Sequence, residues 1–167
     1  EDIKYENYEK EPFISDVMDG KTDPLYLAHS YHTKVPHKAI MKYILHYTNP
    51  GDIVFDGFCG TGTTGIAAQL CGNKNEVEKL GYTVSDNKIY DLDNKLISEL
   101  GIRRAVIGDL SPAATFIASN MNLKRDFEML FTEINELVRQ VESKYNFLYE
   151  TTHTNGEKGI VNYALWS

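Results

Sequence analysis

The architecture of this chain is set by ten residues, Phe55-Asp56-Gly57-Phe58-Cys59-Gly60-Thr61-Gly62-Thr63-Thr64. The apolar run Ile53-Val54-Phe55 at its start is typical of a buried parallel strand. Glycines let the chain turn tightly and approach a ligand, because no Cβ stands in the way. Residues 63–70 have helical composition, and the first turn of a helix offers free N–H groups. The stretch therefore predicts a strand, a ligand-binding loop and a helix.

Upstream of this loop the sequence predicts another helix. Pro36 suits a first helical turn. Apolar and aromatic residues then recur at helical spacing, at Ile40, Tyr43, Ile44 and Tyr47. The turn residues Asn49-Pro50-Gly51-Asp52 end this helix before the strand.

Downstream of the loop the pattern repeats. Residues 105–107 predict a second short strand, with Asp109 just beyond its end. Ser111 and Pro112 predict the N-cap and first turn of a helix that reaches Met121. Alternating helices and short strands indicate an α/β fold with a parallel sheet. Ligands bind such sheets at the carboxyl ends of the strands, where Asp56 and Asp109 both fall.

The remaining segments carry weaker signals. Residues 1–30 predict an extended N-terminal arm, and residues 73–101 predict an insertion with a small hairpin and a short helix. Apolar residues at helical spacing between Phe127 and Leu148 predict a long amphipathic helix, whose apolar stripe belongs to a core or a partner face. Residues 160–166 are a candidate last strand.

Composition narrows the class of protein. The chain has 167 residues, enough for one domain. Its net charge of −7 does not indicate a basic surface that binds nucleic acid. The sequence has no run of about 18 apolar residues and therefore predicts no membrane span. The two cysteines, Cys59 and Cys71, are too few for a disulfide framework or a four-cysteine zinc site. The chain begins at Glu1 and ends just after an apolar run, so we expect a portion of a longer protein.

Other interpretations of the glycine loop are weaker. No Gly-Lys-Ser/Thr closes it, so it is not a phosphate-binding P-loop. Gly60, Gly62 and Gly65 fit the G-x-G-x-x-G pattern of dinucleotide-binding folds only in a shifted frame, and that pattern alone is weak.

The loop resembles motif I of the S-adenosylmethionine-dependent DNA amino-methyltransferases, which modify adenine N6 or cytosine N4. That motif reads Asp-Pro-Phe-x-Gly-Ser/Thr-Gly-Thr-Thr after a strand, and Gly57 replaces its proline here. Two further segments agree in order. Tyr31-His32-Thr33-Lys34-Val35-Pro36 is similar to motif X, and Gly108-Asp109-Leu110-Ser111-Pro112 is similar to motif II.

The resemblance implies a Rossmann-like methyltransferase core, three-layered with a parallel sheet and incomplete in this chain. Residues 31–167 are then its S-adenosylmethionine-binding part. It implies that Asp109 holds the ribose of the cofactor, that Leu110 covers the adenine, and that Asp56 orients the loop or the cofactor amino group. Lys34 adds positive charge beside the carboxylate end. The implied cofactor-binding residues are Thr33, Pro36, Asp56, Phe58, Cys59, Gly60, Thr61, Gly62, Thr63, Asp109, Leu110 and Ser111.

The catalytic motif IV of that family, Asp/Asn/Ser-Pro-Pro-aromatic, is not found in this sequence. Its only partial match is Asp23-Pro24-Leu25-Tyr26, which we interpret as a turn in the arm. The chain is therefore expected to bind cofactor without catalysing transfer by itself, with DNA held by the remainder of a longer cytoplasmic enzyme of DNA modification and restriction. Its oligomeric state stays open.

Several alternatives remain. The same core serves RNA and protein methylation. The same motifs also fit a non-catalytic module that binds cofactor or regulates another protein. They fit, finally, a structural subunit with a vestigial loop. Asp109 alone also fits the N-terminal cap of the next helix, where Ser111 competes. Cys59 has no base placed to make it a nucleophile. His29, His32 and His37 lack metal-ligand spacing, so no metal is expected.

Overall fold

A computed structural model describes residues 9–161 of the chain. Residues up to Leu123 form one compact unit, and residues from Lys124 onward form a second. The predicted site residues all belong to the first unit.

The first unit contains five helices and five strands over its described residues. Their order is α1 (Pro24–Leu27), α2 (His37–Tyr47), β1 (Ile53–Asp56), α3 (Thr63–Leu70), α4 (Lys74–Glu78), β2 (Thr83–Ser85), β3 (Lys88–Tyr90), β4 (Leu96–Glu99), β5 (Arg104–Ile107) and α5 (Pro112–Asn122). The predicted strands at 53–55 and 105–107 and the predicted helices after Pro36, Gly62 and Ser111 are confirmed. The arm differs slightly from its prediction, because Asp23 caps a short helix within it, α1.

Strands β1 and β5 pair in parallel, from Ile53 opposite Arg104 to Asp56 opposite Ile107. Both strands therefore end at the same level. The loops that follow them meet at one edge of the sheet, since the amide of Cys59 donates to the carbonyl of Gly108 at 2.9 Å. This is the edge at which the sequence predicts a ligand.

The predicted insertion is an α-helix followed by a small antiparallel sheet. Helix α4 precedes three strands in the order β2-β3-β4, rather than the predicted single hairpin. The tight turn between β2 and β3 places Asp86 and Asn87 in the left-handed region, at φ 48° and 61°, which Asp and Asn tolerate better than most residues.

The main core lies between α2, α3 and the insertion. Helices α2 and α3 contribute six of its buried residues, Met41, Ile44, Leu45, Ala67, Ala68 and Cys71 at the end of α3. The insertion contributes four more, Val77, Leu80, Val84 and Ile89. The insertion is therefore part of the hydrophobic core of this unit.

The parallel sheet is covered unevenly. Helix α3 packs against β1 and β5, whereas Ile53, Phe55 and Val106 are more than half exposed. Parallel sheets are ordinarily covered on both faces. The mixed α/β class is confirmed, and the full three-layer core remains a prediction, because the described residues contain only two parallel strands.

The second unit holds helix α6 (Phe127–Tyr145), a 3-10 turn (Asn146–Tyr149) and the antiparallel strands β6 (Glu150–Thr152) and β7 (Lys158–Ile160). The long predicted helix is confirmed, although its last turn is 3-10. Of the candidate strand at 160–166, Ile160 lies in β7 and residues 162–166 fall outside the described residues. No helix within residues 9–161 is long and apolar enough to cross a membrane.

Candidate functional site

Asp56 fixes the start of the glycine loop. One carboxylate oxygen accepts a hydrogen bond from the amide of Phe58 at 3.1 Å, and the other accepts one from the hydroxyl of Thr64 at 2.6 Å. The same side chain thus joins the end of β1, the loop and the first turn of α3. Asp56 therefore holds the loop in place, and its predicted role toward a cofactor amino group stays a prediction.

Asp109 joins the two loops at the edge of the sheet. Its Oδ1 accepts from the amide of Ser111 at 2.9 Å, and its Oδ2 accepts from the amide of Gly60 at 2.8 Å. Both hydrogen bonds lower the pKa of the carboxyl below its ordinary value, and the one from Ser111 has the larger effect. The side chain is a carboxylate at neutral pH, with lone pairs left for a ligand hydroxyl.

The N-terminal cap of α5 is Ser111, and Asp109 does not take that role. The hydroxyl oxygen of Ser111 accepts from the amide of Ala114 at 3.3 Å. Because Ser111 caps the helix, the capping explanation for Asp109 is not needed, and its carboxylate faces the glycine loop instead.

A cleft of about 80 Å³ lies between the glycine loop and the segment that precedes α2. Seven of the twelve predicted cofactor-binding residues line it: Thr33, Asp56, Phe58, Cys59, Gly60, Thr61 and Thr63. Thr61 is only 1% exposed, and its hydroxyl oxygen has no hydrogen-bond partner in the structure. A buried hydroxyl without a partner is costly unless a ligand or water satisfies it.

The other five predicted residues lie outside the lining of this cleft. Pro36 is fully buried at the start of α2, and Gly62 opens α3. Asp109, Leu110 and Ser111 stand at the edge of the sheet, where Leu110 is 89% exposed. Phe58, which does line the cleft, is 83% exposed. Two large apolar side chains are thus open to solvent on the loops that Asp109 connects.

The glycines of the loop serve packing as well as ligand approach. Gly60 and Gly62 have φ angles of +52° and +83°, which favour glycine. A Cβ on Gly62 would lie 2.8 Å from Cβ of Ala118, and one on Gly65 would overlap the side-chain oxygen of Asn122. Gly62 and Gly65 therefore allow α5 to pack closely against the start of α3.

Lys34, which is predicted to add positive charge beside the carboxylate end, also lines the cleft and holds its own segment together. Its ammonium donates hydrogen bonds to the backbone carbonyls of Tyr26 at 2.6 Å, His29 at 3.1 Å and Leu25 at 3.5 Å. Burial also lowers the pKa of this group. Lys34 thus fixes the segment before α2, and its protons are not available to grip a carboxylate directly.

Tyr31 is the main site residue that the sequence analysis did not select. It lines the cleft, and its ring approaches Gly60 so closely that a Cβ there would lie 3.0 Å from Tyr31 Cε1. Its position within the motif X segment was a signal, but a packing contact between residues this far apart in sequence is not visible in a pattern.

The described residues do not favour a cysteine nucleophile, a catalytic Asp23 or a metal centre. Burial, with the nearby Asp56 and Asp109 carboxylates, raises the pKa of the Cys59 thiol, so it is not an activated nucleophile. Asp23 caps α1 and pairs with Lys38 at 2.9 Å. Over residues 9–161, no group of three His, Cys, Asp or Glu side chains is placed to hold a metal ion.

Comparison with known proteins identifies the family of the chain. A family model described as DNA methylase matches residues 1–139, most of the chain. The chain belongs to this family of DNA adenine and cytosine methyltransferases. The resemblance noted in the sequence is thereby confirmed at the level of the family. No solved structure matches the chain.

Proposed function

We propose that the chain binds S-adenosylmethionine and presents its methyl group to an exocyclic amine of a DNA base, adenine N6 or cytosine N4. The observation that supports this most strongly is the unpartnered hydroxyl of Thr61, buried in the cleft beside the glycine loop. A polar ligand group in the cleft would satisfy it. The residues present therefore fit the cofactor of this family.

The size of the cleft suggests how the cofactor is divided along the site. About 80 Å³ is far below the roughly 300 Å³ at which pockets for whole ligands begin. In this proposal the cleft holds the amino-acid end of the cofactor among Thr33, Gly60 and Thr61. The adenosine end lies across the open edge, where the Asp109 carboxylate accepts from ribose hydroxyls and the exposed side chain of Leu110 covers the adenine.

The chemistry requires positioning more than activation. The bound cofactor supplies a methyl group on a positively charged sulfur, an already activated donor. Held at Thr61 and Asp109, the cofactor would supply this methyl group to the amine. The residues of this chain hold the donor in place. The sequence contains no motif IV, so we assign no catalytic residue to it.

Calorimetric titration with S-adenosylmethionine tests the proposal, with Thr61→Val as the decisive variant. Valine has nearly the shape of threonine, and the hydroxyl it removes has no partner in the protein. Folding should therefore be unharmed, whereas affinity should fall roughly five- to ten-fold, about 1–1.4 kcal/mol.

Asp109→Ala should weaken binding about ten-fold or more, and Asp93→Ala in the insertion is the matched control that should leave affinity unchanged. Circular dichroism confirms that each variant is folded. Absence of binding by the folded wild-type chain, or equal affinity in wild type, Thr61→Val and Asp109→Ala, would refute the proposed cofactor site.

The partner and the location belong to the same proposal. Membership of a DNA methylase family supports DNA as the substrate, and the net charge of −7 favours a DNA contact made mainly by other parts of a longer protein. Location in the cytoplasm and pairing with a restriction enzyme stay predictions. The alternative is methylation of RNA or protein by the same core. Incubating the full-length enzyme with DNA, RNA and protein, and measuring methyl incorporation into each, decides between them.

A further inference from the structure

Asn122, the last residue of α5, reaches the glycine loop from a different helix. Its side-chain Nδ2 donates to the carbonyl oxygen of Gly62 at 3.0 Å and to that of Ala118, one turn back in α5, at 2.9 Å. Both protons of the amide group are therefore used. The hydrogen bond to Gly62 spans 60 residues of sequence and joins the end of α5 to the start of α3.

The orientation of the Asn122 amide is fixed by its neighbours on α3. The Nε2 atom of Gln69 donates to Asn122 Oδ1 at 3.4 Å and to the backbone carbonyl of Asn122 at 3.3 Å. The Oδ1 atom also fills the space beside Gly65, where a Cβ would overlap it. Because the amide oxygen has a donor on its own side, the NH2 group faces Gly62.

The carbonyl that Asn122 holds lies in the part of the loop that borders the cleft. Gly62 stands between Thr61 and Thr63, both of which line the cleft. Its φ of +83° and its lack of a side chain leave its backbone more freedom than other residues have. Amides in the first turn of α3 donate to the same oxygen at 3.1 and 3.4 Å. The hydrogen bond from Asn122 is the shortest of the three and the only one of them that comes from outside α3.

The loop is thus held at two points by residues that follow β5. Asp109 accepts from the amide of Gly60 at 2.8 Å. Asn122 donates to the carbonyl of Gly62, two residues further along the loop. Thr61 lies between these two points, and its buried hydroxyl has no partner. A shift at either point would therefore move this hydroxyl relative to a ligand in the cleft.

We propose that Asn122 is a positioning residue for S-adenosylmethionine: by holding the Gly62 carbonyl it sets the position of Thr61, although it does not line the cleft itself. This role rests on the proposed function and adds a distant residue to the cofactor site. It requires an amide at position 122. An aspartate has the same shape, but its carboxylate only accepts hydrogen bonds and would face two carbonyl oxygens.

Calorimetric titration of the 167-residue chain with S-adenosylhomocysteine, the demethylated form of the cofactor, tests this role. At pH 8, Asn122→Asp should bind it about ten-fold more weakly than the wild type. Asn120→Asp is the matched control, because it makes the same change on the same helix. The Nδ2 of Asn120 donates to the carbonyl of Phe116, within α5, at 2.8 Å. This control should bind like the wild type.

The pH dependence of the loss separates a missing donor from general damage to the fold. A protonated carboxyl carries an O–H group and can donate to the Gly62 carbonyl again. Since the two facing carbonyl oxygens favour the protonated form, the affinity of Asn122→Asp relative to the wild type should recover roughly three-fold or more between pH 8 and pH 5. The ratio for Asn120→Asp should stay constant. Circular dichroism at each pH confirms that both variants are folded.

Two-dimensional amide NMR of the 15N-labelled chain observes the loop itself, without cofactor. The amide of Thr63 belongs to the same peptide group as the Gly62 carbonyl, so its signal responds to the partner of that carbonyl. We expect the Thr63 signal to move in Asn122→Asp and to stay in place in Asn120→Asp.

The outcomes separate the two proposals. If the wild type binds, equal affinity in Asn122→Asp, a loss that is the same at pH 8 and pH 5, or an unmoved Thr63 signal overturns the positioning role and leaves the proposed function standing. If the folded wild-type chain does not bind, the proposed function is refuted and the positioning role with it.

Discussion

Arg103 is a fully buried arginine whose guanidinium donates only to uncharged oxygens. Its five hydrogen bonds reach Thr48 Oγ1, the carbonyls of Thr48, Glu99 and Gly101, and Ser98 Oγ. Burial is the main cause of its lowered pKa. The side chain joins the end of α2, the last strand of the insertion and the start of β5, so its removal would leave several oxygens without a partner.

Arg103→Met should lower the free energy of unfolding by about 2–4 kcal/mol, because methionine fills the space but satisfies none of these acceptors. The neighbouring Arg104 is exposed, so Arg104→Met should change stability by less than about 0.5 kcal/mol. Urea denaturation followed by circular dichroism measures both. Equal stability of the two variants would show that the buried hydrogen bonds contribute nothing net.

His37 gives the first unit a pH dependence. It is buried at the first turn of α2, and its Nδ1 has no hydrogen-bond partner. Burial lowers its pKa, while the surrounding charges act in both directions: Asp23 and Glu76 raise the pKa, and Lys38 and Lys79 lower it. The folded protein therefore binds this proton less readily than the unfolded chain.

The free energy of unfolding should fall as the pH drops below about 6.5, the ordinary pKa of histidine. The contribution of His37 to this fall should end below its pKa in the folded state. His37→Gln, which carries no titratable ring, should flatten the stability profile between pH 7 and 5. A wild-type profile that is flat in this range would contradict the prediction.

At the scale of helices and strands, α3 and α5 pack closely against each other. The amide of Asn122 donates to the carbonyl of Gly62 at 3.0 Å, and Gly65 leaves the space that the Asn122 side chain fills. Gly62 and Gly65 therefore both pack against the side chain of Asn122 on α5.

Gly65→Ala should destabilise the protein by about 1–3 kcal/mol, because the added methyl overlaps Asn122. Combining it with Asn122→Ala should cost less than the sum of the two single changes, since the overlap is then removed. Gly108→Ala is the control, because a Cβ there meets nothing within 4 Å. Thermal denaturation of the four variants measures the coupling, and simple additivity would refute the packing explanation.

Elements with strong local signals were predictable from sequence. Helix α3 begins directly after Gly62, and α5 begins at Pro112, directly after the Ser111 cap, as the residues at those positions indicate. The third strand of the insertion was missed, because β2, β3 and β4 are only three or four residues long, too short for an alternating pattern to be recognised. Pairing among such short strands is decided by burial against α2, which no local pattern reveals.

The parts of the candidate site that lie within short continuous segments were predictable from sequence. Asp56, Gly60, Thr61 and Asp109 lie in segments whose residue types indicate ligand binding, and the structure brings them together. The packing of Tyr31 against the loop and the hydrogen bonds from Lys34 to backbone carbonyls depend on contacts between separate segments. Such contacts leave no periodic signature in one sequence.

For the molecule as a whole, the two units differ in how firmly they are built. The first has a buried core between α2, α3 and the insertion, whereas no residue of α6 is buried. A helix whose side chains bury little opens easily, and its amides exchange quickly.

Hydrogen–deuterium exchange should therefore show slow exchange in α2 and α3 and fast exchange in α6. Adding S-adenosylhomocysteine should slow exchange further in the glycine loop and α3, because a ligand that binds only the folded state stabilises it. The exchange of α6 should not change. Strong protection of α6 in the free chain would contradict this division.

In the sequence, the insertion lies between the two halves of the proposed cofactor site, and it also supplies Val77, Leu80, Val84 and Ile89 to the core. A relative that shortened residues 73–101 would lose that apolar surface while keeping both site loops. Met41, Leu45 and Ala68 would then face a gap. Across the evolution of the family, the length of this segment should covary with the size of the side chains at those three positions, and not with the residues that contact the ligand.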